Sequence, residues 1–402
     1  MAANARTLLW ASVLAAALGY FVDLYDIVLF GVVRVASLAD LGITGADGTT
    51  WGIRLINLQM TGMLIGGFFW GVLGDRYGRR FALLATITVF SLANLANGFI
   101  TSVEQYAVLR FLAGFGLAGE LGNGITLVSE LLPENRRGYG TTLVSFPGLV
   151  GALTASVIGA GQGWRMAYEI GGAMGLAVLA LRFFALQESA LFRHGERSGA
   201  GEIGRLFASA PLALRFVAVT LVGVPIWYVS ALFVNLAPEV GRALGFDLTV
   251  AQVLRSQAVG LALGSAASGV ISEALRNRRA VVAACLAGLV LGCAALLRLH
   301  AAPAFVLLMF FVGLLQGYWT VFVTMAAEQF GTDLRATVST SIPNLVRAAT
   351  VPVTLSVQAL APAAGFSGAC TTVGVVVFVL AFAALARLPE TWGRSLAYRE
   401  AG

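Results

Sequence analysis

Ser129–Thr142 reads SELLPENRRGYGTT and Ala327–Thr340 reads AEQFGTDLRATVST. In each, a glutamate precedes an arginine by seven residues: Glu130 before Arg137, and Glu328 before Arg335. The two glutamates stand 198 residues apart, as do Asp75 in GDRYGRR (Gly74–Arg80) and Glu273 in SEALRNRR (Ser272–Arg279). One such coincidence proves little. Two at a single offset, each in a loop between apolar runs, indicate duplication of a large unit.

The runs around these loops say what is duplicated. Of 402 residues, 58% are hydrophobic and 11% are charged, and the mean hydropathy is +0.85. A soluble domain carries about 25% charged residues, so most of this surface must face lipid. A spanning helix needs about 20 apolar residues, and apolar runs fall near 8–36, 52–74, 80–99, 103–130, 138–162 and 165–188. A second six lie near 213–238, 248–274, 278–298, 302–328, 335–362 and 366–387. The fold class expected is all-α: twelve spans in two six-helix, pseudo-symmetric bundles, 1–188 and 213–402. A polar-leaning loop, 189–212, separates them. Parallel repeats of this kind place a substrate site at mid-depth between the halves.

All 26 basic residues are arginine. They cluster at Arg76, Arg79 and Arg80; Arg136 and Arg137; Arg193, Arg197 and Arg205; and Arg276, Arg278 and Arg279. Arg335, Arg387, Arg394 and Arg399 follow, all on the side of Arg6. By the positive-inside rule both termini are cytoplasmic, in a multi-pass protein of the cell membrane. The net charge of +6 therefore reads as topology, and nucleic acid is not expected as a partner. Cys285, Cys293 and Cys370 sit in apolar runs without CxxC spacing, and His194 and His300 are the only histidines. No disulfide framework, metal site or cofactor is expected. The Arg6-led apolar start lacks a small-x-small cleavage site and reads as the first span, not a signal peptide.

GVLGDRYGRR (Gly71–Arg80) closely resembles the signature loop between helices 2 and 3 of the major facilitator superfamily. PENRRG (Pro133–Gly138), QESALFR (Gln187–Arg193) and PETWGRS (Pro389–Ser395) are similar to the PExxRG, PESPR and PETKGRS motifs of its sugar-porter and aromatic-acid symporter branches. Gln187 and Ala190 replace the prolines of PESPR. The resemblance implies that Asp75, Arg79, Glu130 and Arg137 latch the outward-facing state; Gly71 and the repeat-related Glu328 and Arg335 are expected to belong to the same gating set. On residue chemistry alone, Gly71 and Gly74 suit close helix approach, and the arginines could merely set topology.

An ionisable side chain at bilayer depth costs at least about 2.5–3.5 kcal/mol, so each needs a reason. Asp23 and Asp26 (span 1), Arg110 and Glu120 (span 4) and Arg347 (span 11) lie well inside. From the ends of their runs, Asp26 and Arg110 sit at depths of about 15 and 10 Å, close enough to meet. YDIVLFG (Tyr25–Gly31) and RFLAGFGLAG (Arg110–Gly119) are similar to sugar-porter segments whose aspartate carries the proton and whose arginine partners it. The resemblance thus implies proton coupling at Asp26 and Arg110. Asp23, on nearly the same face as Asp26, is expected to share the proton or contact substrate, and Glu120 to be a second protonation site. A static ion pair is the other reading. The formal GxGxxG at Gly114–Gly119 has no strand before it and reads as helix packing.

Arg347, an always-charged planar fork, either anchors an anionic substrate or partners an acid of span 1. Gln59, Asn123, Trp227, Tyr228, Asn235, Gln257, Tyr318, Trp319 and Asn344 outline a polar pathway at similar depth. The chain is thus expected to be a monomeric secondary transporter, not an enzyme, moving a small organic solute. Proton-coupled symport of an organic acid or sugar is expected. An uncoupled facilitator or exporter, and a membrane sensor, remain the other readings.

Overall fold

The computed structural model describes residues 2–131, 137–185, 203–207 and 209–393. The side chains of Asp75, Arg79, Asn123, Glu130, Arg137 and Arg335 lie outside the described residues. The chain divides into two compact units, Met1–Gly201 and Glu202–Gly402.

In the first unit the helices are α1 (Ala2–Asp40), α2 (Gly45–Tyr77), α3 (Arg79–Asn97), α4 (Val103–Leu131), α5 (Arg137–Gly161) and α6 (Trp164–Ala185). Lipid offers no partner for a bare peptide group, so runs this apolar close their hydrogen bonds within themselves. α1 packs mainly on α5 and α6, α2 on α4, and α3 on α4 and α6. The opposite faces carry exposed large apolar groups such as Phe184 (83%) and Val108 (60%), as lipid-facing helices must.

The second unit holds a short α7 (Ile203–Leu206), then α8 (Ala210–Val229), which runs into a π segment (Ser230–Asn235). α9 (Ala237–Leu244), α10 (Val250–Leu275), α11 (Arg278–Leu296), α12 (Ala302–Gln316), α13 (Trp319–Glu328), α14 (Thr332–Ala348) and α15 (Thr350–Arg387) follow. Nine runs among the described residues are long and apolar enough to cross a membrane. α4 and α5 have some side chains outside the described ones, and the last run, Ser341–Arg387, is divided by Gly365 (φ 69°) into two. The twelve expected spans are thereby accounted for.

The repeat is written into the backbone. A Cβ on Gly62 or Gly66 would strike the Phe111 and Phe115 carbonyls of α4, and one on Gly114 the Gln59 carbonyl of α2. In the second unit Gly260 and Gly264 face the Phe310 and Leu314 carbonyls of α12, and Gly313 faces that of Gln257. These glycines let the two helix pairs touch backbone to backbone, which side chains would forbid. Gln59 and Gln257, 198 residues apart, occupy the same place in each crossing. The turn before the third helix also repeats: Gly78 (φ 102°) and Arg276 (φ 52°) each take a positive φ.

Four features differ from the sequence expectation. Span 7 gives way at Ser230 to the π segment and then to the short α9, closed by left-handed Gly245 (φ 85°). Span 10 breaks at Gly317–Tyr318, where Gly317 lies against the backbone of Gly264 and Ser265. Span 11 breaks at Ala349. Gly71 has no atom within 4 Å of its would-be Cβ among the described residues, so it makes no close helix contact there.

Candidate functional site

Asp26 and Arg110, both fully buried, meet as the depths of their spans anticipate. Arg110 Nη2 donates to Asp26 Oδ1 at 3.1 Å and Oδ2 at 3.4 Å, and to Asn94 Oδ1 at 3.0 Å. Gln59 Nε2 donates to Asp26 Oδ2 at 3.4 Å. One nitrogen carries the whole ion pair, while Arg110 Nε and Nη1 have no hydrogen-bond partner among the described residues. A bidentate fork would hold the carboxylate far more firmly. The guanidinium lies between the rings of Phe30 (5.6 Å) and Tyr168 (5.1 Å). Tyr168 shares a 2.7 Å hydrogen bond with Tyr106, which lies 3.2 Å from Ser37 Oγ. Asp23, one turn before Asp26, is also fully buried.

Glu120 belongs to a separate cluster whose other half sequence reading missed. Arg182 of α6 donates to Glu120 through Nη1 (2.9 Å) and Nη2 (2.7 Å), and Thr86 Oγ1 adds a third bond at 2.7 Å. Arg182 also donates from Nε to the Ala15 carbonyl and from Nη1 to the Leu83 carbonyl, each at 3.1 Å. The signal was present: Arg182 interrupts the apolar run GLAVLALRFFA.

In the second unit Arg347 is 3% exposed, with its Cζ 5.8 Å from the Trp227 ring centre. Its Nε and Nη1 have no hydrogen-bond partner, and it has no carboxylate within ion-pair distance, among the described residues. Asn344, 5% exposed, precedes it by one turn of α14. Other members of the expected pathway are committed elsewhere. Tyr228 donates to the Cys370 carbonyl (2.8 Å), pinning α8 to α15, and Tyr318 to the Val222 carbonyl (2.8 Å). Gln257 donates to Gln316 Oε1 (2.6 Å), and Gln316 in turn to the Ile226 carbonyl (2.9 Å), both within 3.4 Å of Ser230 Oγ. Gln316 and Ser230 were not foreseen. Trp319 is part-exposed, its ring tilted against that of Phe322 (centroids 5.5 Å apart), and Asn235 closes the π segment. The side chain of Asn123 lies outside the described residues.

Among the loop residues, Glu328 receives Arg278 Nε (2.7 Å) and Nη2 (2.9 Å), and Arg278 Nη1 reaches Glu273 at 3.1 Å. Trp392 Nε1 also donates to Glu273 (3.1 Å). Glu390 caps α11, accepting the backbone N–H groups of Arg278, Arg279, Thr391 and Trp392 at 2.8–3.1 Å. Burial acts to raise its pKa, but these four donors outweigh burial and hold it below the usual carboxylate value.

A family model described as Major Facilitator Superfamily matches residues 16–348. The 4-hydroxybenzoate transporter PcaK of Pseudomonas aeruginosa is 32% identical over 203 residues, 50% of this chain and 44% of that protein. The niacin transporter NiaP of Acinetobacter baylyi is 34% identical over 170 residues, 41% of this chain and 37% of that one. The matched stretch thus spans less than half the length of each of these curated relatives. The inward-open xylose transporter XylE from E. coli has a TM-score of 0.73 at 17% identity, over 96% of this chain and 98% of that one, a likeness of fold.

Proposed function

The chain belongs to the Major Facilitator Superfamily, as a multi-pass membrane transporter and not an enzyme, and we propose that it carries a small aromatic carboxylate in symport with a proton. The observation that carries the substrate class is Arg347: a buried cation without a carboxylate partner among the described residues, over an indole face. A guanidinium is a planar, permanently charged fork matched to a carboxylate. Beside it, Trp227 offers an aromatic surface for a ring to stack on. A neutral sugar would leave the buried charge uncompensated, which disfavours that class. The names of the PcaK and NiaP relatives, which assign those proteins 4-hydroxybenzoate and niacin, agree in chemistry.

The proton's carrier in this reading is Asp26. Its ion pair rests on one nitrogen of Arg110, so protonation removes the charge that holds the guanidinium. α1 and α4 are then free to separate at that level. Substrate and proton are coupled if each favours the same conformational change, by linkage. Glu120, saturated by Arg182 and Thr86, is a poor second proton carrier. The Arg278–Glu328–Glu273 cluster serves as a latch that must open and close during transport.

The deciding experiment is thermal shift of the purified protein with 4-hydroxybenzoate, nicotinate, their uncharged amides and xylose, since a ligand stabilises whatever state binds it. The two anions are expected to raise Tm while the amides and xylose do not. Equal shifts from the amides would remove the role of Arg347.

A further inference from the structure

Three spots on α1 line up on one face: Ala15, Gly19 and the Asp23–Asp26 turn, spaced at four, four and three residues. Asp26 meets Arg110 of α4 at the far end of this face. At the near end, Arg182 Nε donates to the Ala15 carbonyl, and a Cβ on Gly19 would collide with the Arg182 guanidinium and lie 2.8 Å from Glu120 Oε2. The Glu120–Arg182 pair therefore lies flat against bare α1 backbone, and only a glycine admits it. Glu120 and Arg110 are ten residues apart on α4, about 15 Å along the helix. α1 is thus held to α4 at two stations, one a side-chain ion pair with Asp26, the other an ion pair pressed on its backbone.

The two stations differ in how they are built. Asp26 is served by one Arg110 nitrogen and a 3.4 Å contact from Gln59. Glu120 receives both terminal nitrogens of Arg182 as well as Thr86 Oγ1, and Arg182 spends further bonds on α1 and α3. Bidentate, buried and charge-assisted bonds are the strong ones. We infer that Arg182 is a positioning residue, fixed by Glu120, that anchors α1 at Ala15 and Gly19 so that the Asp23–Asp26 turn pivots toward and away from Arg110 about that anchor. This inference rests on proton coupling at Asp26 for its functional consequence, but the anchor itself does not.

The titratable and charged groups around Asp26 are Arg110 and Tyr106 from α4, Tyr168 from α6, and Tyr25 and Asp23 on α1 itself, with uncharged Gln59 from α2. α5, also packed on α1, adds no titratable side chain among its described residues. Among the described residues Arg110 is the cation within ion-pair reach of Asp26, and a nearby cation favours the charged form of a carboxylate. Displacing α1 at Gly19 carries Asp26 away from Arg110 and so removes the cation from its carboxylate.

The test uses full-length protein carrying Gly19→Ala, with Arg182→Lys as a second variant that keeps charge but cannot serve Glu120 and Ala15 together. Hydrogen exchange is followed over residues 12–26, together with the pH midpoint of 4-hydroxybenzoate uptake into liposomes. Both variants should exchange about tenfold faster in this segment, as loss of a local tether predicts. Their uptake midpoint should move upward by about half a unit or more, while acid-pH binding of 4-hydroxybenzoate by thermal shift stays as in the unaltered protein. Unchanged exchange overturns the anchor, whether or not uptake is proton-coupled. Faster exchange with an unmoved midpoint reduces Arg182 to a structural brace and overturns its positioning role. If the unaltered protein shows no pH midpoint, the coupling at Asp26 fails, and the exchange result alone decides the anchor.

Discussion

Replacing Arg347 by methionine should weaken the binding of anions and at the same time stabilise the ligand-free protein. The side chain is 3% exposed, and two of its three nitrogens lack a hydrogen-bond partner among the described residues. Each buried donor left unsatisfied costs about 1–3 kcal/mol. Against that stands the contact with Trp227 at 5.8 Å, worth about 0.5–2 kcal/mol for a cation over an aromatic face. Methionine keeps most of the stem volume, so no large cavity opens. The net gain is on the order of 2 kcal/mol in the empty protein, a rise of a few degrees in Tm. Binding moves the other way. Removing one member of a buried charge pair costs about 2–5 kcal/mol, which weakens 4-hydroxybenzoate by roughly 30-fold to several thousand-fold. Isothermal titration with 4-hydroxybenzoate and its amide, alongside Tm without ligand, reads both effects. A lower Tm in the empty variant, or equal losses for acid and amide, would show that Arg347 is held by a structural partner and would refute the reasoning.

Asp26→Asn should abolish accumulation of substrate driven by an inward proton gradient while leaving exchange between loaded compartments intact; accumulation at acidic outside pH would refute the assignment. Glu390 has a depressed folded pKa, so its contribution to stability is complete above the unfolded value of about 4.3 and fades as pH falls through the folded value. The Glu390→Gln variant should therefore be less stable than the unaltered protein at neutral pH, by about 1 kcal/mol for weakened caps, with the difference vanishing in acid. Gly78→Ala should cost about 1–2 kcal/mol, because φ 102° forces a Cβ into the forbidden left-hand region. Arg276→Gly at the equivalent turn should be near neutral: it relieves φ 52° but loses the Trp392 contact at 5.3 Å. A chemical denaturation series compares the two.

The duplication was legible in the loops because acids and arginines at a helix mouth tolerate few alternatives, and Glu130, Glu328, Asp75 and Glu273 kept their offset. The Asp26–Arg110 pair was legible because two charges at matching depth in apolar runs have few other ways to be satisfied. Arg182 was missed because its carboxylate lies on another helix, 62 residues earlier, and no spacing within α6 reports it. The same limit hid Gln316 beside Gln257, the bond from Tyr228 to Cys370, and the pairing of Glu328 with Arg278. The helix break at Gly317 leaves little mark in hydropathy, since the stretches on both sides of it are apolar. It coincides with the close approach of the Gly264 backbone.

The repeat shows where the two units differ in their buried charges. Tyr25 donates to the Ala167 carbonyl and Tyr228 to that of Cys370, each 142 residues downstream, so both copies pin their first helix to their last in one way. The glycine crossings at Gln59 and Gln257 are likewise shared. At the repeat position of Glu120 the second unit has Tyr318, whose hydroxyl bonds the Val222 carbonyl of α8 much as Arg182 bonds Ala15 of α1. A neutral hydroxyl there does the fastening that an ion pair does in the first unit. At Asp26's level the second unit carries Tyr228 and Val229 with no acid, and its buried cation on α14 stands without a carboxylate partner among the described residues. In the proposed reading, a scaffold copied twice keeps acids beside Arg110 and Arg182 of its first unit and leaves Arg347 of its second for a ligand's acid. If so, placing a carboxylate at Trp227 should convert Arg347 into a paired, inert residue: Trp227→Glu would raise stability and abolish anion binding together, whereas loss of only the stacking contribution, about 0.5–1.5 kcal/mol, would mean the arginine never served the ligand.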